Sequence, residues 1–457
     1  MKKSILSLLL CLLSAALMAT DPTGTLPIVY MRTTSGQPIT DKENYVPGTV
    51  YIDPLSTGYA ALGSSAAPIA AQLKGRGNWT WTGFDKKPYK IKFDAKQKVL
   101  GMAKNKHWVL LAAADDCLGG LKNPVGFMLS RALGLRWTPG LVPVELVLNG
   151  QYQGIYYLTE HVRVAKDRVN IAELPDNTSS ADSITGGWLV EIDNYSSENN
   201  ITFNEGNGQY VMVSLREPEI LSAPQRLYIE QQIFSLNNVL YGHSATQLKQ
   251  MIDIEEAAKY YLVQEIMEDC ESYHGSCMLY KDRDSLGIAD PWKFGPVWDF
   301  GNAYDRHAER FIYDGPIFAQ YWIGQLASWP VFQQAVQEQW WVFYHQHKAA
   351  VRTQIQSFAA QIESAMQRDA DVWRGTQNYC DNSNFTDVRD RFLRRYDWRT
   401  NWLYEQWGEG IRPVSWDIEQ TPVAAPQTQK IFRNGQILIL RNGETYTLTG
   451  HKLTTDN

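Results

Sequence analysis

Beyond its first nineteen residues the chain has no apolar run of membrane-spanning length, so no helical span is expected after that point. It has no repeat of fixed period, which excludes a solenoid or propeller. Charged residues make up only 20% of the 457 residues, with 43 Lys and Arg against 49 Asp and Glu. A net charge of −6 without a basic cluster makes a poor nucleic-acid binder, so nucleic acid is not an expected partner. Cysteine is scarce as well, five in all, which excludes a small disulfide scaffold. What is plentiful is core-forming material. Hydrophobic residues reach 44%, which excludes a disordered chain. The 16 Trp and 24 Tyr suit either stacking on a ligand or a wide core with amphipathic rims, and the core is the ordinary outcome.

Residues 1–19 read as a secretory signal. MKKS is basic, Ile5 to Met18 is apolar, and small residues surround Ala19. Leu17 is a poor residue three before the cut, so the bond itself is not fixed, and Leu9 and Leu10 before Cys11 do not make a lipobox. The mature chain is therefore expected to be exported to the periplasm, the cell surface or the medium, without a membrane span. Cys117, Cys270, Cys277 and Cys380 remain, with three possible pairings in an oxidising compartment.

The pattern along the chain is α+β. TLPIVYMRT, GTVYID, IAAQLKGRG and PYKIKFD alternate as strands do, and WVLLAAA is a further apolar run. A helix is expected from Leu118 to Leu133, stopped by Gly134. VPVELVLNGQYQGIYYLTEHV reads as a hairpin turning at Asn149-Gly150. GGWLVEIDNY and QYVMVSLRE are further strands. From Ala223 helices dominate: Pro224 to Leu240, Ile254 to Met267 with Asp253 as its N-cap, Pro330 to Arg374, and Asp387 to Trp407. The expected organisation is one body over 20–412, β-rich then α-rich and two-lobed, a linker at 413–429, and a small β tail at 430–457 with Asn-Gly turns.

Three stretches carry candidate chemistry. KGRGNWTW followed by KKPYKIKFD places Arg76, Lys87, Lys90 and Lys92 around a Gly-rich turn and a strand. Such a turn with a strand lysine can hold a polyphosphate, but from these residues alone a hairpin with a solvated basic face is the commoner outcome. Glu160 ends the strand GIYYLTE. In DCESYHGSCMLYKDRD and then KFGPVWDFG, acids fall at consecutive strand ends, an arrangement in which one accepts a hydroxyl proton while another binds Mg²⁺. The two cysteines and His274 of DCESYHGSC lack a standard zinc spacing. A Cys270–Cys277 bridge or two buried thiols are the other readings. Glu191 and Asp193 lie two apart on one strand and face one side, as a glycosidase pair could, with nothing else in the sequence to support sugar cleavage.

Taken in order, RGNWTW with KKPYKIKF, LKNPVGFMLSRALGL, NGQYQGIYYLTEHV with KDRVNI, GGWLVEID, ESYHGSCMLYKD and the WDF run resemble the spore-coat-protein-H kinase-like (CotH-like) family, from about Leu26 to Trp407. The resemblance implies a two-lobed atypical protein-kinase-like fold that uses ATP and Mg²⁺ to phosphorylate Ser or Thr hydroxyls of a protein substrate. It implies that Arg76 and Lys87, with Lys90 as a second candidate, sit at the nucleotide phosphates. Glu160 would lie near the nucleotide and Asp299 would bind metal. The family's loop reads Asn-x-Asp; the matching positions here are Asp269, a candidate metal ligand, and Glu271, the candidate catalytic acid/base. Ser276 stands where some members place a metal-binding Asn. The longer Glu side chain shifts a carboxylate, and a misplacement of about 1 Å can cost on the order of 100-fold in rate. The alternative is a catalytically reduced kinase-like module that binds an envelope protein or a surface polysaccharide.

Overall fold

Alternation builds the first sheet. In the computed structural model residues 22–181, 183–193, 200–204, 210–305, 308–314 and 322–414 are described, with strand segments at 428–433, 436–441, 444–447 and 452–453. The expected signal and most of the expected linker lie outside them. The first seven strands are β1 (Ile28–Thr33), β2 (Val46–Asp53), β3 (Ile69–Gly75), β4 (Tyr89–Gln97), β5 (Asn105–Leu111), β6 (Leu141–Leu148) and β7 (Gln151–Glu160). A helical turn, α1 (Trp79–Thr82), joins β3 to β4, and α2 (Lys122–Ala132) lies between β5 and β6. On β4, Tyr89, Ile91 and Phe93 are buried and the lysines between them point away, as the alternation predicts. The β6–β7 hairpin turns at Asn149 (φ 51°) and Gly150 (φ 81°), the two left-handed residues that a tight type I′ connection requires.

The strand pattern does not announce that this sheet closes. The order is β1-β2-β3-β4-β5-β7-β6, and β1 returns to pair in parallel with β6, Ile28 opposite Glu145. Closure leaves no free edge and fills the barrel with side chains such as Val50, Leu73, Ile91, Trp108 and Leu158. Each large apolar side chain so buried contributes about 1.5–3 kcal/mol.

After β7 come β8 (Trp188–Ile192), β9 (Asn200–Asn204), β10 (Tyr210–Glu217), β11 (Cys277–Lys281) and β12 (Lys293–Phe294), in a second, antiparallel sheet ordered β12-β11-β8-β10-β9. The helices are α3 (Ala223–Leu240), α4 (Ala245–Met251), α5 (Ile254–Met267), α6 (Trp322–Ala327), α7 (Pro330–Val342), α8 (Lys348–Trp373) and α9 (Phe385–Trp407). Asp253 caps α5 through the Glu256 amide at 3.1 Å, and Ser222 with Gln225 forms a capping box on α3. The expected helix over 330–374 is two helices, because a π turn at Phe343–His347 separates α7 from α8. Five tryptophans, Trp108, Trp188, Trp292, Trp322 and Trp340, are fully buried, so the aromatic surplus serves largely as core. The described residues through Gly410 belong to one compact unit, mixed α+β with a β-rich first half and a helical second half. A separate unit from Ile411 carries a four-stranded antiparallel sheet of β13 (Thr428–Arg433), β14 (Gln436–Arg441), β15 (Glu444–Thr447) and β16 (Lys452–Leu453).

One further expectation needs correction. The helix expected from Leu118 begins only at Lys122. Gly119 and Gly120, at φ 79° and 70°, hold the preceding residues in a turn, and Asp116 accepts the amides of Leu118 (2.8 Å) and Lys122 (2.9 Å). The pairing of the cysteines, which the sequence leaves open, is settled by the fold. The disulfide is Cys117–Cys380, and no bridge joins Cys270 to Cys277. Cys277 is a buried thiol that burial pushes up to about 12. Among the described residues no group of three or more His, Cys, Asp or Glu is placed to hold a metal, so the zinc-knuckle arrangement is not formed.

The barrel and the helices are joined by an ion pair out of contact with solvent. Lys86 meets Asp369 of α8 at 2.7 Å with both side chains 1% exposed. Lys86 also donates to the Ile155 carbonyl (2.8 Å), while Asp369 accepts from the Ile155 amide (3.0 Å) and the Tyr379 hydroxyl (2.7 Å). Removing one partner strands a buried charge, which costs about 3–5 kcal/mol. Lys86→Met is therefore expected to lower unfolding stability by about that amount in urea titrations, and Lys86→Met with Asp369→Leu to lose less than either single change.

Candidate functional site

The turn after β12 carries Asp299, and α2 decides where that turn sits. Lys122, 1% exposed, donates to the Gly301 carbonyl (2.7 Å) and to Asp305 Oδ1 (2.6 Å). Asn123 Oδ1 accepts the Phe300 amide at 3.1 Å. The Phe300 ring is buried against Gly126, where a Cβ would stand only 2.2 Å from it. Held in this way, Asp299 takes a left-handed backbone (φ 58°) and its side chain is exposed.

Facing it is Asp115, on the loop that ends β5. This loop is tied down from the far end of the chain. Beside the disulfide, the Cys380 amide donates to Ala114 O (3.0 Å), the Asn382 side chain donates to Asp116 O (2.9 Å), and Asn382 Oδ1 accepts from the Gly119 amide (3.2 Å). Both carboxylates lie close to Gly301. A Cβ there would be 3.0 Å from Asp115 Oδ2 and 3.4 Å from Asp299 Oδ1. Burial first, then the charge of Asp299, pushes the Asp115 carboxyl up to about 6.

Arg76, half-buried in the Gly75-Arg76-Gly77 turn, lies in the field of Asp299, Glu191 and Asp115, with its guanidinium 5.7 Å from the Trp298 ring centre. Lys90 stands opposite Lys74 across β3 and β4. Burial, then Lys74 and Arg76, pushes the Lys90 ammonium down to about 8. Two imidazoles lie beside this group. Burial and then Arg163, Lys90 and Lys92 push His107 down to about 3, and His161 falls well below its usual value, chiefly through burial and then Lys90. Both rings are neutral at physiological pH, so the positive charge on this face comes from lysine and arginine.

Asp269 begins the loop after α5 and is fully buried, with Oδ2 lacking any hydrogen-bond partner. Burial, then Asp299 and Glu271, push its carboxyl well above the usual range. The Glu271 amide reaches Asp269 Oδ1 at 3.4 Å, and the Glu271 carbonyl accepts from the His274 and Gly275 amides, both at 3.1 Å. Ser276 has the left-handed backbone (φ 54°) that asparagine tolerates well.

The sequence candidates thus divide. Arg76, Asp269, Glu271 and Asp299 are linked by contact or by mutual electrostatics, with Lys90 beside Arg76. Lys87 turns to the Trp81 carbonyl (2.7 Å) and the Trp81 ring. Glu160, 5% exposed, accepts the Gly140 amide (2.9 Å) and lies 3.9 Å from Arg168. Glu191 and Asp193 face one side as expected, but Arg216 binds both, at 3.1 Å in the case of Asp193, and this neutralises them. A neutralised pair does not supply the acid and nucleophile that glycoside cleavage needs. Sequence reasoning missed Asp115, Lys122, Asn123 and Arg216. The double acid in AAADDC, directly after an apolar strand, was the available signal for the first.

Asn123 is expected to act through the Phe300 amide alone. Asn123→Ala should speed hydrogen exchange at Phe300 and its neighbours and cost about 1–3 kcal/mol, since it leaves a buried amide without its acceptor. Unchanged exchange there would show that the turn is held by Lys122 and the Phe300 ring instead.

The family comparison covers these same elements. The model of the CotH kinase protein family matches residues 73–403, from β3 through α9. No curated protein matches the chain. With the family match spanning both the barrel side and the helical side of the site, this chain belongs to the CotH kinase family.

Proposed function

We propose that the chain transfers a phosphoryl group from ATP, with Mg²⁺, to Ser or Thr hydroxyls of a protein, in full or weakened form, on a two-lobed kinase-like body acting after export. The observation that carries this reading is that Arg76 lies in the field of Asp299 and Asp115, the three residues coming from distant parts of the chain, beside the cationic pair Lys74 and Lys90. Cations next to unpaired carboxylates are the charge pattern that a metal-bound polyphosphate requires.

The donor set suits nucleotide-borne Mg²⁺, which takes one or two carboxylates and fills its shell with phosphate oxygens and water. Asp299 would hold it, with the unpartnered Oδ2 of Asp269 nearby in the same acidic group. When bound, Mg²⁺ neutralises charge on the transferring phosphoryl group. Arg76 and Lys90 would orient the phosphates, and Glu271 would accept the proton of the attacking hydroxyl. Lys87 would have to leave the Trp81 carbonyl to take part, and Glu160 contributes by holding Gly140 and Arg168.

The second reading, a catalytically reduced module that binds an envelope protein or polysaccharide, is favoured by one observation. Asp269 is buried and pushed toward its neutral form, and the residue offered as base is the longer Glu271. Among the described residues no helix is long and apolar enough to cross a membrane.

Calorimetry on the mature chain, with and without Mg²⁺, separates the two. Weak Mg²⁺-dependent ATP binding that disappears in Arg76→Ala is expected. No heat and no thermal shift at millimolar ATP would leave only the binding module. If ATP binds, Glu271→Asp is expected to raise turnover, by up to about 100-fold, through restored placement of the carboxylate.

A further inference from the structure

Asp115 belongs to none of the loops that the family resemblance singles out, yet its carboxylate and that of Asp299 both lie close to Gly301. We propose that Asp115 and Asp299 form a two-carboxylate clamp for a divalent cation, built across Gly301 from the loop after β5.

Three observations support the clamp. First, both oxygens close on one point: a single added carbon at Gly301 would meet Asp115 Oδ2 and Asp299 Oδ1 at 3.0 and 3.4 Å. Second, among the described residues neither carboxylate makes an ion pair, although Arg76 and Lys122 are near enough to act on the acidic group electrostatically. Lys122 is committed to Gly301 O and Asp305, and Arg76 is not within ion-pair distance of either acid. Two carboxylates held together without a countercharge repel, and a cation between them removes the repulsion. Third, Asp269 adds a fully buried oxygen with no partner to the same group. Mg²⁺ keeps several waters when bound by one or two carboxylates, and that oxygen is an acceptor for them.

The protein fixes both halves of the clamp in advance. Asp299 is set by Lys122, Asn123 and Phe300, and Asp115 by the Cys117–Cys380 bridge and the Asn382 contacts. The clamp also replaces what the loop after α5 lacks, since Ser276 offers only a hydroxyl where a carboxamide ligand would be expected. Gly301 is then required for its missing side chain. Its φ is not left-handed, so alanine is permitted by the backbone and excluded by the cation.

The proposal rests on the phosphotransfer reading for the identity of the cation as Mg²⁺, whereas the clamp itself is tested without turnover. The probe is Mn²⁺, titrated into the full mature chain and followed by the loss of the free-ion electron paramagnetic resonance signal, with and without ATP. Wild type is expected to bind one ion. Asp115→Asn, which keeps side-chain shape, and Gly301→Ala, which keeps both acids, should each weaken binding by about tenfold or more while metal-free melting stays cooperative. If Asp299→Asn abolishes Mn²⁺ binding while Asp115→Asn and Gly301→Ala bind as wild type does, the clamp is wrong and the phosphotransfer reading stands. If wild type takes up no Mn²⁺ even with ATP, both fall.

Discussion

The first turn of α2 holds the site together. Lys122 and Asn123 reach from that turn to the backbone of Phe300 and Gly301, and the position of Asp299 follows from those two hydrogen bonds. The start of the helix is itself set by Asp116, which accepts the Lys122 amide, and the residue before Asp116 is Asp115. One capped helix end therefore positions an acid on each side of it. The charged Lys122 bond contributes about 1.5–3 kcal/mol and the neutral Asn123 bond about 0.5–1.5 kcal/mol, enough together to hold a left-handed aspartate in a conformation that costs about 1–3 kcal/mol.

Charge on the site is sorted by burial as well as by residue type. His107 and His161 sit beside lysines and arginines that, together with burial, keep both rings neutral. On the opposite side, burial pushes Asp115 and Asp269 upward while Asp299 remains exposed. The cations of β3 and β4 and the acids of the loops thus face the same region without cancelling one another. By contrast, Glu191 and Asp193 are cancelled by Arg216, and Lys86 by Asp369. Those pairs contribute to the structure, whereas the uncancelled groups leave charge for a ligand.

Much of this was legible in the sequence wherever the cause is local. The Asn149-Gly150 turn, the Asp253 cap and the alternation of β4 each depend on a few neighbouring residues, and each is found where the pattern puts it. The failures share a different cause. Barrel closure pairs Ile28 with Glu145, and the approach of Asp115 to Asp299 joins loops from opposite halves of the chain; no local pattern encodes either. The start of α2 is misleading because Gly119 and Gly120 sit inside an apolar pattern that looks helical until their backbone is known. In KKPYKIKF the pattern shows which lysines leave the barrel core, but not that Lys87 bends back to Trp81 while Lys90 stays beside Arg76.

The Cys117–Cys380 bridge spans 263 residues and ends one residue from Asp116, on the loop that presents Asp115. A bridge that closes so long a loop removes conformational freedom chiefly from the unfolded chain. Its local effect is to clip the acidic loop to the segment that leads into α9. Such a clip forms only where thiols are oxidised. A chain kept in a reducing cytosol would have every residue of the site and its hydrogen bonds, but without the covalent clip. The sequence supplies the acids, and the compartment determines how firmly one of them is held.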